Sequence, residues 1–248
     1  MAAHLLHQAP GLRSAFAERV RDKTSAERDA LGRRVEERLA RSPKPLRSVI
    51  RWGVQQMWDG QGRQHARHGR QGERQLTAAL RWRLSPDWWL LPDVLLSSDG
   101  DHLSQIDLVG VGPPGLFVTE VKRWTGAIRA TGDRWARKDG ARWLSCESPT
   151  RQNAAHVREM RAWWRAVGLE DQVGPIQIQP VVVFLETAWL RVTNPIMPVF
   201  DRPSAVAHHM QSHPTTWTPD KVETVAHTLA ERPSPQLGET APAPLEND

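Results

Sequence analysis

Residues 105–122 constrain the fold more than any other segment of the chain. Two apolar runs flank the sequence Gly112-Pro-Pro-Gly115, a short turn that predicts two antiparallel β-strands. Each run contains one acidic residue among its apolar neighbours, Asp107 in the first and Glu120 in the second. A charged side chain in a buried strand costs free energy unless it is paired or binds a metal ion. We therefore expect this hairpin to carry the functional site.

The rest of the chain supplies the elements of an α/β (α+β) domain. Its apolar and turn residues predict a mixed central β-sheet flanked by helices. A continuous apolar run at 176–185 is typical of a strand that is buried on both faces. The other predicted elements are helices at 72–84, 149–167, 201–211 and 219–231, strands at 88–96 and 195–200, and a hairpin at 126–138.

Composition divides the chain into four predicted segments. Residues 1–60 are predicted as a basic, helical N-terminal extension, and the polar, glycine-rich residues 61–71 as a linker. Residues 72–231 form the predicted main folded domain, and the proline-rich residues 232–248 a disordered tail.

The positive charge of the chain lies in its N-terminal part. Residues 1–75 hold 16 Lys and Arg against 8 Asp and Glu, whereas residues 76–248 hold 17 against 20. A basic region suits binding to nucleic acid or another polyanion, and it equally suits a solvated surface. The same two interpretations apply to four arginines that could follow a phosphate backbone, namely Arg63, Arg67, Arg70 and Arg74.

Several classes of protein do not fit the sequence. The single cysteine, Cys146, cannot form a disulfide within the chain, and we expect a cytoplasmic protein in a reducing compartment. No run approaches the roughly 20 apolar residues that a membrane-spanning helix needs. The chain also lacks a Walker-type phosphate loop, a Cys/His zinc spacing and a Gly-x-Ser-x-Gly nucleophile motif.

The acidic residues of the hairpin have the chemistry of a divalent metal site. Side chains alternate along a strand, so Glu120 and Lys122 project to one side, and pairing through the turn brings Asp107 near them. Carboxylate oxygens suit Mg²⁺ or Mn²⁺, which also take phosphate oxygens as ligands. Lys122 could hold a water molecule or stabilise charge that develops on a phosphate. Alternatively, Asp107 could pair with an arginine or cap a turn, and Glu120 and Lys122 could form a surface ion pair.

An ordered set of motifs resembles the NERD (nuclease-related) domain of the PD-(D/E)xK nuclease superfamily. The set begins with Gly72-Glu73 at the start of a helix and continues with residues 105–109 and 115–122. Gly126 and Trp135 follow, and Pro149-Thr-Arg-Gln152-Asn153 opens the second helix. The resemblance covers about residues 70–186, and it implies a restriction-endonuclease-like core and cleavage of nucleic acid.

The resemblance implies that Asp107 and Glu120 bind the metal ion, Mg²⁺ or Mn²⁺. The main-chain carbonyl of Val121 would be a further ligand. Lys122 would be the catalytic base or would stabilise charge.

Two helical residues complete the implied site. Glu73 would reach the metal ion or its waters from the first helix, and Gln152 would approach from the second. On the residues alone, Glu73 could instead favour the positive end of the helix dipole, and Gln152 could be a structural residue of a first helical turn.

A separate cluster of Asp99, Asp101 and His102 is interpreted as a solvated turn rather than a metal site.

The sequence thus predicts a metal-dependent nuclease that hydrolyses phosphodiester bonds, with DNA as the favoured partner. One alternative is a nucleic-acid-binding module of the same fold that does not cut, and another is a protein-interaction module led by residues 1–60. An intact set of Asp, Glu and Lys favours the enzyme, because a module that does not cut has no chemical need to retain all three. Neither protein partners nor an oligomeric state follow from the sequence.

Overall fold

The computed structural model describes residues 2–9, 62–99 and 103–235, and for residues 62–70 it describes only the backbone. The strands within these ranges are β1 (His4–Leu5), β2 (Trp89–Leu96), β3 (Ser104–Gly112), β4 (Gly115–Lys122), β5 (Ala127–Thr131), β6 (Arg134–Asp139), β7 (Arg142–Cys146), β8 (Ile178–Phe184), β9 (Trp189–Thr193) and β10 (Val199–Phe200). The helices are α1 (Gly62–Arg81), α2 (Pro149–Ala166), α3 (Leu169–Val173), α4 (Pro203–Gln211) and α5 (Pro219–Glu231).

A six-stranded mixed sheet forms the centre of the fold. Its strand order is β1-β2-β3-β4-β8-β10. The neighbours β2, β3 and β4 are antiparallel, whereas β8 pairs with β4 in parallel and β10 pairs with β8 in parallel. The predicted hairpin at 105–122 and the buried strand at 176–185 therefore lie side by side in this sheet.

Helices cover both faces of the sheet, which confirms the predicted architecture. On one face α2 and α5 bury Met160, Trp163 and Leu229 against the strands. On the other face α1 and α4 contribute Leu76 and Met210 to a second core cluster. Trp163 and Trp164 are both fully buried.

A second, four-stranded sheet extends from the ends of β4 and β8. Its order is β7-β6-β5-β9, and it contains the hairpin predicted at 126–138. Ile128 and Trp135 on one face of this sheet pack against Phe184 of β8. The sequence did not predict β7, β9 or the assembly of these strands into a sheet.

The ends of the described chain contact the central domain. Strand β1 pairs with β2, and the Gln8 side chain donates to the carbonyls of Leu95 and Leu229, both at 2.9 Å. The Ser97 amide donates to the carbonyl of Pro233 at 2.9 Å, in the segment predicted as a tail. Residues 10–61 and 236–248 lie outside the described residues, so the division into domains stays a prediction. In the part of the chain that the structure describes, no helix is long and apolar enough to cross a membrane.

Candidate active site

The candidate site lies where the hairpin β3–β4 opens. The ladder runs from the pair Gly112 and Gly115 to the pair Leu108 and Thr119, and it stops there. The next residues in this register are Asp107 and Glu120, which therefore flank the opening on opposite strands.

A side chain replaces the missing ladder bond. The Val121 amide donates to Oδ2 of Asp107 at 2.7 Å, so a carboxylate takes the place of a main-chain carbonyl. This bond satisfies a backbone donor that would otherwise be unpaired beside a buried strand. It also fixes the orientation of the Asp107 carboxylate.

Strand β2 is distorted at the same level. The ladder contains the pairs Pro92–Leu108 and Val94–Ile106 but skips the position between them, which is that of Asp93 and Asp107. Asp93 has a φ of +54°, which is unusual for a residue with a side chain. A local distortion of this kind changes the direction in which side chains project.

Glu120 and Lys122 form a close ion pair. The Lys122 ammonium lies 2.6 Å from Oε1 of Glu120, whose side chain is only 1% exposed, whereas that of Lys122 is 18% exposed. Lys122 also donates to the side-chain carbonyl of Gln152 at 2.9 Å. Because its carboxylate is buried, this pair is not the surface ion pair that was the alternative.

Helix α2 brings Gln152 to the site because its first turn is firmly anchored. Ser148 caps the helix by accepting a bond from the Arg151 amide at 3.0 Å. The buried Asn153 amide then donates to the carbonyls of Val118 and Val181, at 3.0 and 2.9 Å. These bonds join the helix to both β4 and β8, and they fix the position of the neighbouring Gln152.

The same turn also holds the second sheet. Asp133, between β5 and β6, accepts hydrogen bonds from Ser148, Thr150 and Arg151. Although partial burial raises the pKa of Asp133, these hydrogen bonds lower it below its ordinary value. The Trp135 indole donates to Thr150 at 3.1 Å and adds a further link.

Glu73 approaches from α1, on the opposite side of the sheet. The helix lies close to β4 at Gly72, where a Cβ would lie 3.4 Å from a methyl carbon of Val121. Glu73 is near enough for its charge to raise the pKa of Asp107.

Asp107 is the electrostatically perturbed group of the site. Burial raises its pKa well above the ordinary value, and the charge of Glu120 raises it further. The hydrogen bond from Val121 and the charge of Lys122 act in the opposite direction but do not reverse the shift. Two acids that face each other in a partly buried opening therefore repel, and a cation between them would relieve this repulsion.

The sequence analysis missed His156. Its Nε2 lies 3.3 Å from Oε2 of Glu120, and its Nδ1 lies 2.9 Å from the hydroxyl of Ser104. His156 follows Gln152 by four residues, so both side chains lie on the same side of α2. This spacing is visible in the sequence, but only the position of α2 on the sheet gives it significance.

The donor atoms suit a hard divalent cation. Within the described ranges, no three His, Cys, Asp or Glu side chains form a group that could hold a metal ion. The carboxylates of Asp107 and Glu120 nonetheless offer oxygen ligands, and Oε2 of Glu120 is buried without a hydrogen bond. Mg²⁺ binds through one or two carboxylates and keeps several waters, so two acids are a sufficient protein contribution. The metal ion and the Val121 carbonyl ligand stay predictions.

The four arginines that were predicted to bind nucleic acid belong to α1. Arg74 is exposed on α1. The backbone at Arg63, Arg67 and Arg70 belongs to the same helix, which overlaps the predicted linker at 61–71, but their side chains lie outside the described residues. Asp101 and His102 also lie outside them.

One known family matches the part of the chain that contains the candidate site. The family model for the nuclease-related domain, NERD, matches residues 68–185. This range contains the five predicted catalytic residues and His156. No curated protein and no solved structure matches the chain.

Proposed function

Residues 68–185 belong to the nuclease-related domain family, and from this premise we propose that the chain is a metal-dependent nuclease. It would hydrolyse phosphodiester bonds, with DNA as the favoured substrate. The observation that supports this proposal best is the convergence of Asp107, Glu120, Lys122 and Gln152 on the opening between β3 and β4. Three separate elements, β3, β4 and α2, place these side chains together.

The residues of the chain have complementary roles in this proposal. When bound at Asp107 and Glu120, Mg²⁺ or Mn²⁺ would polarise the phosphate and lower the pKa of a bound water. Lys122, held between Glu120 and Gln152, places a positive charge where negative charge develops on the phosphoryl oxygens. Hydrolysis adds water to phosphorus and breaks one P–O ester bond, and the departing oxygen takes up a proton.

His156 is a positioning residue in this scheme. It faces the oxygen of Glu120 that Lys122 does not contact, and Ser104 holds its other ring nitrogen. Each oxygen of the Glu120 carboxylate thus has a basic side chain beside it, which favours retention of its orientation toward the opening when the substrate arrives.

A cleavage assay tests the proposal. Purified protein is incubated with plasmid DNA, linear DNA and RNA, with Mg²⁺, with Mn²⁺ or with EDTA. We expect metal-dependent cleavage that falls at least 100-fold in Asp107→Ala, Glu120→Ala and Lys122→Ala, a loss typical of removing one group that stabilises a transition state. His156→Gln should retain more activity than His156→Ala, because a glutamine amide can donate to the Glu120 carboxylate and alanine cannot.

The control variant is Arg158→Ala, which removes an exposed charge from α2. Its activity should equal that of the unaltered protein. Full cleavage by Lys122→Ala would contradict the proposed role of the lysine.

A nucleic-acid-binding protein that does not cut is the second candidate. It is favoured by the lack of a ready metal-binding group among the described side chains. Binding to DNA in EDTA, with no cleavage in either metal ion, would support this candidate and contradict the first.

A further inference from the structure

The four-stranded sheet has a basic and aromatic face that the proposed chemistry does not use. Ile128, Ala130 and Trp135 point inward and are buried. The alternating positions point away from the core, and the register places them on one common surface. We call this surface the outer face, and its residues are Arg129, Arg134, Lys138, Trp143, Trp189 and Arg191.

The outer face carries positive charge without compensation. The outward positions of its four strands include four cations and no Asp or Glu. Arg129 and Arg191 lie directly opposite each other in the β5–β9 pair. Like charges in this arrangement repel, and among the residues that the structure describes none of the four cations lies in an ion pair. An anionic partner would relieve this repulsion.

Aromatic rings lie among these cations. The Arg129 guanidinium is 4.4 Å from the ring centroid of Trp143, and the rings of Trp143 and Trp189 are 6.1 Å apart. Trp189 is 45% exposed, a large fraction for an indole. Exposed rings beside arginines can stack with nucleobases while the cations contact phosphates.

Two strands of the outer face follow the strands of the candidate active site closely along the chain. Strand β5 starts five residues after Lys122, and β9 follows β8 in the same manner. The Asp133 contacts hold this sheet against the turn of α2 that carries Gln152. A strand of nucleic acid on the outer face would therefore lead toward the opening between β3 and β4.

We propose that the outer face binds single-stranded nucleic acid and leads it to the active site. Its role in guiding substrate rests on the proposed function, whereas binding itself does not. Single strands are favoured over duplexes because only unpaired bases expose their faces to rings on a sheet surface.

Binding is measured by fluorescence anisotropy with a labelled 20-nucleotide single-stranded DNA in EDTA, where no metal-dependent cleavage occurs. The test variant is Arg129→Ala/Arg191→Ala. The matched control is Arg158→Ala/Arg161→Ala, which removes two exposed arginines from α2. Thermal unfolding of each variant verifies that the fold is retained.

We expect the affinity of the test variant for the single strand to fall about tenfold and that of the control to stay unchanged. The slope of log K against log salt should become shallower by about 1.4, since each of the two lost phosphate contacts to a single strand contributes about 0.7. Trp189→Ala should weaken single-strand binding about tenfold but leave duplex binding unchanged, whereas Trp189→Phe should retain most of it.

Equal losses in the test and control variants, or an unchanged salt slope, would overturn the proposal. An equal effect of Trp189→Ala on duplex and single strand would also overturn the preference for single strands. Normal binding without cleavage in any metal ion would contradict the nuclease proposal alone. Cleavage together with unaltered binding by Arg129→Ala/Arg191→Ala would contradict the outer face alone.

Discussion

Lys122→Met should destabilise the protein more than Glu120→Gln, because the two partners of this ion pair are buried to different extents. The Glu120 side chain is 1% exposed and that of Lys122 is 18% exposed. Removing the lysine leaves a buried carboxylate without its cation, which costs about 3 kcal/mol. Glu120→Gln removes the buried charge instead, and Lys122 can still donate to Gln152 and reach solvent. The cost of this substitution is about 1 kcal/mol.

The difference of about 2 kcal/mol is measurable by urea unfolding in EDTA, followed by circular dichroism. In a thermal scan it corresponds to roughly 4–8 °C for a domain of this size. The double variant Glu120→Gln/Lys122→Met should regain most of the stability lost in Lys122→Met, since it leaves no unpaired charge. Lys138→Met, at an exposed lysine of the second sheet, is the control and should change stability by less than about 0.5 kcal/mol.

Two results would refute this reasoning. If Lys122→Met and Glu120→Gln destabilise equally, burial does not make the carboxylate dependent on its lysine. If the double variant is no more stable than Lys122→Met, the loss comes from packing of the lysine stem and not from charge. In either case the proposed mechanism would lose its basis for placing the Lys122 ammonium beside the phosphate.

Two further predictions concern the remaining acids of this region. Asp107→Asn should raise the stability of the metal-free protein at neutral pH, because the amide keeps an acceptor for Val121 and loses the repulsion from Glu120. Since the pKa of Asp107 is raised in the folded state, this gain should shrink as the pH falls toward the ordinary value of 3.8. In a thermal-shift assay, Mg²⁺ at ten times its Kd should stabilise the unaltered protein by about 1.4 kcal/mol, and an equal shift in Asp107→Asn would contradict the metal site. Asp133→Asn should cost about 1 kcal/mol at pH 7. Because the pKa of Asp133 is lowered on folding, its contribution is present above 3.8 and is lost as the pH falls through the lowered pKa. Urea unfolding at pH 7 and pH 3 should show the two proteins converging at acid pH, and a constant difference would contradict this cause.

The hairpin and its acids were predictable because local rules determine them. The turn at Gly112-Pro-Pro-Gly115 sets the register, and this register places Asp107 opposite Glu120 without knowledge of the rest of the fold. Lys122 follows from the alternation of side chains along the strand. Gln152 required the family resemblance, because no local rule positions a helix thirty residues further along the chain.

Features that depend on distant contacts were not predictable. His156 acquires a role only when α2 lies across β4 and β8. Strand β9 pairs with β5 over a separation of about sixty residues, and strands this short have too little pattern to be detected. The helical backbone at 62–71 was interpreted as a linker because glycine and polar residues dominate there, and the apolar stripe of the helix begins only at Leu76.

The opening of the hairpin has a physical cause in the two acids themselves. A continued ladder would press Asp107 against Glu120 at the short distance of a cross-strand pair, where like charges are destabilising. Two pairs closer to the turn, Val109 and Val118 lie opposite each other in the same register, and the ladder is intact there. Apolar residues at 107 and 120 would thus allow the strands to stay paired to their ends. The chain instead retains two acids, gives up ladder bonds and raises the pKa of one carboxylate. Such local costs are expected where side chains serve chemistry rather than stability, which is why the opening, more than either acid alone, supports the proposed site.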